Sequence, residues 1–96
     1  MPGNWEVRVT ERALREQTQL PREIREESKT TIEDLGDDPF PPGAEALEGY
    51  NNEYRIRIGS EAYRILYRVD TKRRLVVVYR IRPRPTAYKG MKKPRS

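Results

Sequence analysis

Ninety-six residues, 34% of them hydrophobic, make one small domain with a thin core, about one layer of helices on one sheet. The net charge of +5 conceals a division: residues 1–48 hold 12 acids and 6 bases, a net −6, whereas residues 49–96 hold 3 acids and 14 bases, a net +11, which suggests a scaffold half and a half that meets an anionic partner. Cysteine and histidine are both absent, which excludes a disulfide framework, a thiolate metal site, the usual zinc site, Ser-His-Asp and Cys-His nucleophiles and a two-histidine ribonuclease mechanism.

In chain order, Trp5, Val7 and Val9 alternate with Glu6, Arg8 and Thr10, the period of a strand. Thr10 is placed to cap a helix whose apolar stripe is Ala13, Leu14 and Leu20. Pro21 ends that helix and fits the first turn of the next. The second helix carries Ile24, Ser28, Ile32 and Leu35 on one face, and Gly36 stands where it should close. The two helices form a hairpin with both stripes toward the sheet. The segment 37–43 (DDPFPPG) is a rigid, helix-breaking loop with Phe40 as its large apolar residue, expected to plug the core edge.

Three further strands follow, separated by turn signals at Gly59-Ser60 and at 70–73 (DTKR). Side chains alternate faces along a strand. Tyr54, Ile56 and Ile58 therefore point one way and Arg55 and Arg57 the other. Tyr63, Ile65, Tyr67 and Val69 lie opposite Arg64 and Arg68. Leu75, Val77, Tyr79 and Ile81 are expected to lie opposite Arg80 and Arg82. One face of the sheet is then a core and the other a surface of guanidinium groups suited to phosphodiesters. Pro83 and Pro85 end regular pairing. The fold class is α+β in the order β-α-α-β-β-β, a helical hairpin on one face of a mainly antiparallel four-stranded sheet. The longest unbroken apolar run, Leu75 to Tyr79, is far too short to span a bilayer, and the first residues show no signal-peptide pattern. The expectation is a soluble cytoplasmic protein with no membrane partner.

The run Leu47-x-Gly49, then Tyr54-Arg55-Ile56-Arg57, then Tyr63-Arg64-Ile65-Leu66-Tyr67, and the ending Pro83-Arg84-x-x-Ala87-Tyr88-Lys89 resemble the RelE/ParE superfamily of toxins from bacterial and archaeal toxin-antitoxin pairs. The resemblance runs from Trp5 to Tyr88, and the ending is similar to that of archaeal-type RelE proteins. It implies a type II toxin that enters the ribosomal A site and cuts mRNA there, inhibiting translation. The RNA's own 2′-hydroxyl is the nucleophile and no metal or cofactor is used. It also implies two partners: a cognate antitoxin, and the ribosome with its mRNA. A ParE-like poison of DNA gyrase, without nuclease activity, and a non-catalytic homologue that binds only RNA or the antitoxin are the alternatives.

By position, the resemblance places the working groups on Arg55, Arg57, Arg64 and Arg84, with Tyr88 as the aromatic that orients the RNA. Where well-studied bacterial members carry lysines, this chain has Arg55 and Arg57; a further basic position is Glu48 here. A guanidinium fork can pair with two phosphate oxygens and so suits charge that grows on a phosphorane. It does not suit a general base, since its pKa lies above ~12. Glu53 and Glu48 are the nearest other candidates for that task. Arg68, Arg80, Arg82, Lys89, Lys92 and Lys93 are expected to bind RNA or ribosomal phosphates. A toxin domain over 1–88 and a basic tail over 89–96, expected to be mobile, complete the reading.

Overall fold

The computed structural model describes residues 4–91, and its elements run β1 (Glu6–Val9), α1 (Glu11–Thr18), α2 (Arg22–Leu35), β2 (Glu45–Ala46), β3 (Glu53–Ile58), β4 (Tyr63–Asp70) and β5 (Leu75–Pro83), closed by one 3-10 turn at Arg84–Thr86. The five strands form one sheet in the order β1-β5-β4-β3-β2. The expected meander of β3, β4 and β5 is antiparallel throughout, and β1 adds to it parallel to β5, with Val7 beside Val76 and Val9 beside Val78. The four-stranded expectation falls short by β2, a two-residue strand antiparallel to β3. So short an element carries no alternation to read.

The two helices start in different ways, α1 behind a side-chain cap and α2 behind a proline. Thr10 has extended backbone angles and its Oγ1 accepts from the Ala13 amide at 3.1 Å. Pro21 occupies the cap of α2, where its missing N–H costs nothing, and its carbonyl accepts from Arg25 at 2.8 Å. Between the helices, Gln17 donates to the fully buried Ser28 Oγ at 2.8 Å, and Ser28 donates on to the Arg25 carbonyl at 2.6 Å. A buried hydroxyl with both roles filled fixes the hairpin without an unmet polar group. Leu14, expected on the apolar stripe, is 47% exposed. The short α1 offers the core only Ala13, Gln17 and, past its end, Leu20.

The main core lies between the helices and one sheet face. Ala13, Leu20, Ile32 and Leu35 from the helical layer meet Ile58, Ile65, Tyr67, Val69, Val76, Val78 and Ile81. Tyr67 stacks on Tyr54 at 5.8 Å, and its hydroxyl donates to the Pro39 carbonyl at 2.8 Å. Phe40 sits at the rim with its ring edge-on to Tyr54 at 5.1 Å and to Trp5 at 6.5 Å, and remains 45% exposed.

One expectation for β5 is overturned. Val76, Val78 and Ile81 face the helices, whereas Tyr79 packs on the opposite face with Leu66. Leu75 and Val77 share that face, since they pair with Asp70 and Arg68. The register jumps between Leu66, which faces Arg80, and Tyr67, which faces Val78, so Tyr79 is the extra residue of a β-bulge. An extra residue reverses the alternation beyond it. That is why Ile81 can be core although Tyr79 is not.

Candidate functional site

On the face away from the helices, cross-strand pairing sorts the basic residues into rows. Arg57 on β3 pairs with Arg64 on β4, which pairs with Arg82 on β5. One step along the strands, Arg55 pairs with Leu66 and Leu66 with Arg80. The next step holds Glu53 and Arg68. Strands in a sheet lie about 4.8 Å apart, so the first row brings three arginines into a span of about 10 Å.

Like charges so placed repel unless acids intervene. Four glutamates do so. Glu45 on β2 holds Arg55 (Nη2–Oε1, 3.1 Å) and Arg57 (Nη2–Oε1, 3.3 Å). Glu61 holds Arg57 at 3.0 Å, and Glu53 accepts from Arg68 Nε at 2.8 Å. Glu16, reaching over from α1, uses both oxygens: Oε1 accepts from the Ile81 amide at 3.0 Å, while Oε2 lies 3.4 Å from Arg82 and 3.5 Å from Arg12.

Arg64 differs from these neighbours. It is only 4% exposed, and its Nη1 donates to the carbonyls of Glu61 and Tyr63, the latter at 3.3 Å. It pairs with no carboxylate among the described residues, and its Nε has no partner there. A guanidinium held by carbonyls has a fixed position, with donors left over. Arg84 follows the end of β5, is exposed, and carries no side-chain partner among the described residues; its amide donates to the Ala62 carbonyl at 2.9 Å.

After Arg84 the chain folds back over this face. Leu47, Leu66 and the fully buried Ala87 form a second small core, flanked by Tyr50, Tyr79, Tyr88 and Met91. The Tyr88 hydroxyl accepts from Arg55 Nη1 at 3.0 Å. That bond is the main reason the Arg55 guanidinium is held above its ordinary pKa. Arg80 is 7% exposed and points under the returning segment, where its Nη1 donates to the carbonyls of Ala87 and Lys89. Burial, and then the charges of Arg12 and Arg82, push its pKa down. The Lys89 side chain is exposed. Lys92 and Lys93 lie outside the described residues.

The structure thus gathers Arg55, Arg57, Arg64, Arg82 and Tyr88 on one face, with Arg68 four residues from Arg64 along β4 and Arg84 just after the end of β5. Glu53 is buried on the same face, its Oε1 without a partner and the Tyr79 hydroxyl beside it. Glu48 is exposed in the loop before β3. Sequence reasoning missed Glu16 and Glu45. Both are acids at unremarkable positions in the acidic half, and only the pairing of β2 and the approach of α1 to β5 bring them to the basic face. Among the described residues, no cluster of His, Cys, Asp or Glu could hold a metal ion, and no helix is long and apolar enough to cross a membrane.

Comparison with known proteins agrees with this architecture. Residues 7–88 match the family described as the ParE toxin of type II toxin-antitoxin systems, parDE. A Methanocaldococcus jannaschii protein described as a candidate toxin, RelE1, is 31% identical over 89 residues, covering 90% of this chain and 97% of that protein. Among solved structures, the toxin-antitoxin complex RelBE2 of Mycobacterium tuberculosis contains a chain 29% identical, with a TM-score of 0.70 over 83% of this chain and 98% of that one. The isolated E. coli RelE toxin is 26% identical, with a TM-score of 0.71 over 82% and 83%. The matched span begins in β1 and ends at the tyrosine that folds back onto Arg55, so it takes in the whole sheet and its basic face. The chain belongs to the ParE toxin family of type II toxin-antitoxin systems, and within it is RelE-like.

Proposed function

We propose that this toxin is a ribosome-dependent endoribonuclease that cuts mRNA in the A site. The row Arg57-Arg64-Arg82, with Arg84 two residues after Arg82 just past the end of β5, is the observation that carries the reading. A phosphodiester laid across it meets several guanidinium groups at once, and one of them, Arg64, is immobilised by backbone carbonyls.

In the reaction the RNA 2′-hydroxyl attacks the adjacent phosphorus, and the bond from phosphorus to the 5′-oxygen breaks. A 2′,3′-cyclic phosphate and a 5′-hydroxyl result; the 2′-proton is lost and the 5′-oxygen gains one. Arg64 stabilises the extra charge on the phosphorane, and Arg84 reaches the leaving 5′-oxygen or the scissile phosphate. Arg55 and Arg57 neutralise the phosphates on the attacking side. Tyr88 offers a stacking surface that orients a base. Arg68, Arg82 and Lys89 steer the RNA and ribosomal phosphates. The chemistry requires no metal, and positioning with charge stabilisation supplies most of the rate. A cognate antitoxin of acidic and apolar character covers this face, in line with the M. tuberculosis relative, whose structure is a toxin-antitoxin complex.

The test is Arg84→Ala and Arg64→Lys in a translating extract. Arg84 is exposed and has no side-chain partner among the described residues, so Arg84→Ala leaves the fold intact and should abolish mRNA cleavage. Arg64→Lys keeps the charge but loses the fork, and should lower cleavage strongly. Full toxicity in either variant contradicts the role given to that residue. Intact mRNA together with failing DNA supercoiling would point instead to a gyrase poison.

A further inference from the structure

We infer that Arg80 is a positioning residue for Tyr88 and not a contact for RNA. The bulge at Tyr79 turns Arg80 under the returning segment, where it is buried. Its Nη1 donates to the carbonyl before Tyr88, that of Ala87, at 2.9 Å, and to the carbonyl after it, that of Lys89, at 2.7 Å. Arg55 Nη1 donates to the Tyr88 hydroxyl at 3.0 Å. Tyr88 is therefore gripped on both sides along the backbone and at its far end.

The choice of residue supports a specific purpose. A guanidinium buried near Arg12 and Arg82 is electrostatically unfavourable, offset only in part by Glu16, and it forms no ion pair among the described residues. An apolar side chain would fill the same space without that penalty. What only the cation supplies is a pair of charge-assisted hydrogen bonds that fix the path of residues 87–89. The sequence alternation assigns Arg80 to the RNA surface because the return of residues 87–89 over it is invisible to local periodicity. Arg80 differs from the similarly buried Arg64 in what its carbonyl partners belong to: they flank Tyr88 in the returning segment, which lies over the Arg80 side chain. That the held tyrosine meets RNA rests on the proposed nuclease function; the clamp itself does not.

Two measurements test this on the full chain. The first is amide hydrogen exchange in wild type, Arg80→Met and Arg80→Lys. The amides of Ala87, Lys89 and Met91 all bond within this segment. Arg80→Met should speed their exchange by about tenfold or more while β3 and β4 keep their protection, and Arg80→Lys should fall between. Should Arg80→Met not fold, Arg80→Lys against wild type carries the comparison. Unchanged exchange at 87–91 overturns the clamp. The second is a double-mutant cycle on the affinity for a labelled single-stranded RNA. Arg80→Met and Tyr88→Ala should each weaken binding by about tenfold, and the double variant no further than Tyr88→Ala alone. Losses that multiply to about a hundredfold would show Arg80 acting on RNA by itself, and would overturn the inference. If exchange at 87–91 rises in Arg80→Met but Tyr88→Ala binds RNA normally, the clamp stands and the RNA role of Tyr88 falls.

Discussion

Glu45→Gln is the most informative perturbation of the basic face. Glu45 lies on the two-residue edge strand β2, and its Oε1 serves both Arg55 (Nε at 3.2 Å) and Arg57 (Nη2 at 3.3 Å). The substitution keeps the volume and removes one negative charge from between two guanidinium groups. The side chains are 28–48% exposed, so each of the two ion pairs contributes only about 0.2–1 kcal/mol, and the melting temperature should drop by less than about 16 °C. RNA binding should change in the opposite sense. The released charge adds about one phosphate contact, which steepens the salt dependence for a single strand by about 0.7 in log-log slope. Carried from 1 M to 0.1 M salt, that slope amounts to about fivefold tighter binding at the lower concentration. Fluorescence anisotropy with a labelled single-stranded RNA, repeated across a salt series, measures both quantities. Equal affinity and equal slope in wild type and Glu45→Gln would mean that phosphates do not use the Arg55-Arg57 end of the face.

Three further expectations concern the scaffold. Tyr67→Phe deletes the buried bond to the Pro39 carbonyl and should cost about 1 kcal/mol in urea unfolding; an unchanged midpoint would refute the contribution of that bond. Burial, with help from Tyr54 and Asp38, holds the Tyr67 hydroxyl well above its ordinary pKa of about 10. The unfolded chain then loses this proton near pH 10 while the fold retains it, so stability is full below about pH 10 and falls above it, a slope Tyr67→Phe should reduce. Glu16→Ala removes the acceptor of the Ile81 amide and should destabilise by about 1–2 kcal/mol, whereas Glu16→Gln keeps an acceptor and should cost less; equal losses would mean that the charge on Arg82 and Arg12 dominates. Gly59 has φ of +61°, and a Cβ there would sit 2.8 Å from Ile24 Cδ1 and 3.0 Å from Tyr63 Cδ1, so Gly59→Ala should lower stability by about 1–2 kcal/mol in a thermal melt.

What could be read in the sequence was whatever repeats. The period of two in 54–58 and 63–69 put Tyr54, Ile56, Tyr63, Ile65 and Tyr67 on the core side correctly, because β3 and β4 pair without interruption from Glu53 beside Arg68 to Ile58 beside Tyr63. The spacing of Ile24, Ser28, Ile32 and Leu35 identified the buried face of α2 for the same reason. What could not be read depends on pairing between distant segments. The bulge at Tyr79 arises from the register of β5 on β4, and it put Leu75, Val77 and Tyr79 on the face opposite to the expected one. The edge strand β2 exists because Glu45 and Ala46 find β3, and has no pattern of its own. The candidate site divides along the same line. Arg55, Arg57, Arg64 and Arg82 were legible on this face from alternation, but the pairing of Glu45 with Arg55 and Arg57, that of Glu16 with Arg82, and the fold-back of Tyr88 onto Arg55 are long-range contacts with no local signature.

Cleavage in the A site is tested by adding the protein to a cell-free translation system and mapping mRNA 5′ ends by primer extension, with and without ribosomes. A ribosome-dependent nuclease should leave breaks inside translated codons that vanish when ribosomes are omitted and when Arg84→Ala replaces the wild type. Intact mRNA alongside continued protein synthesis would contradict this function.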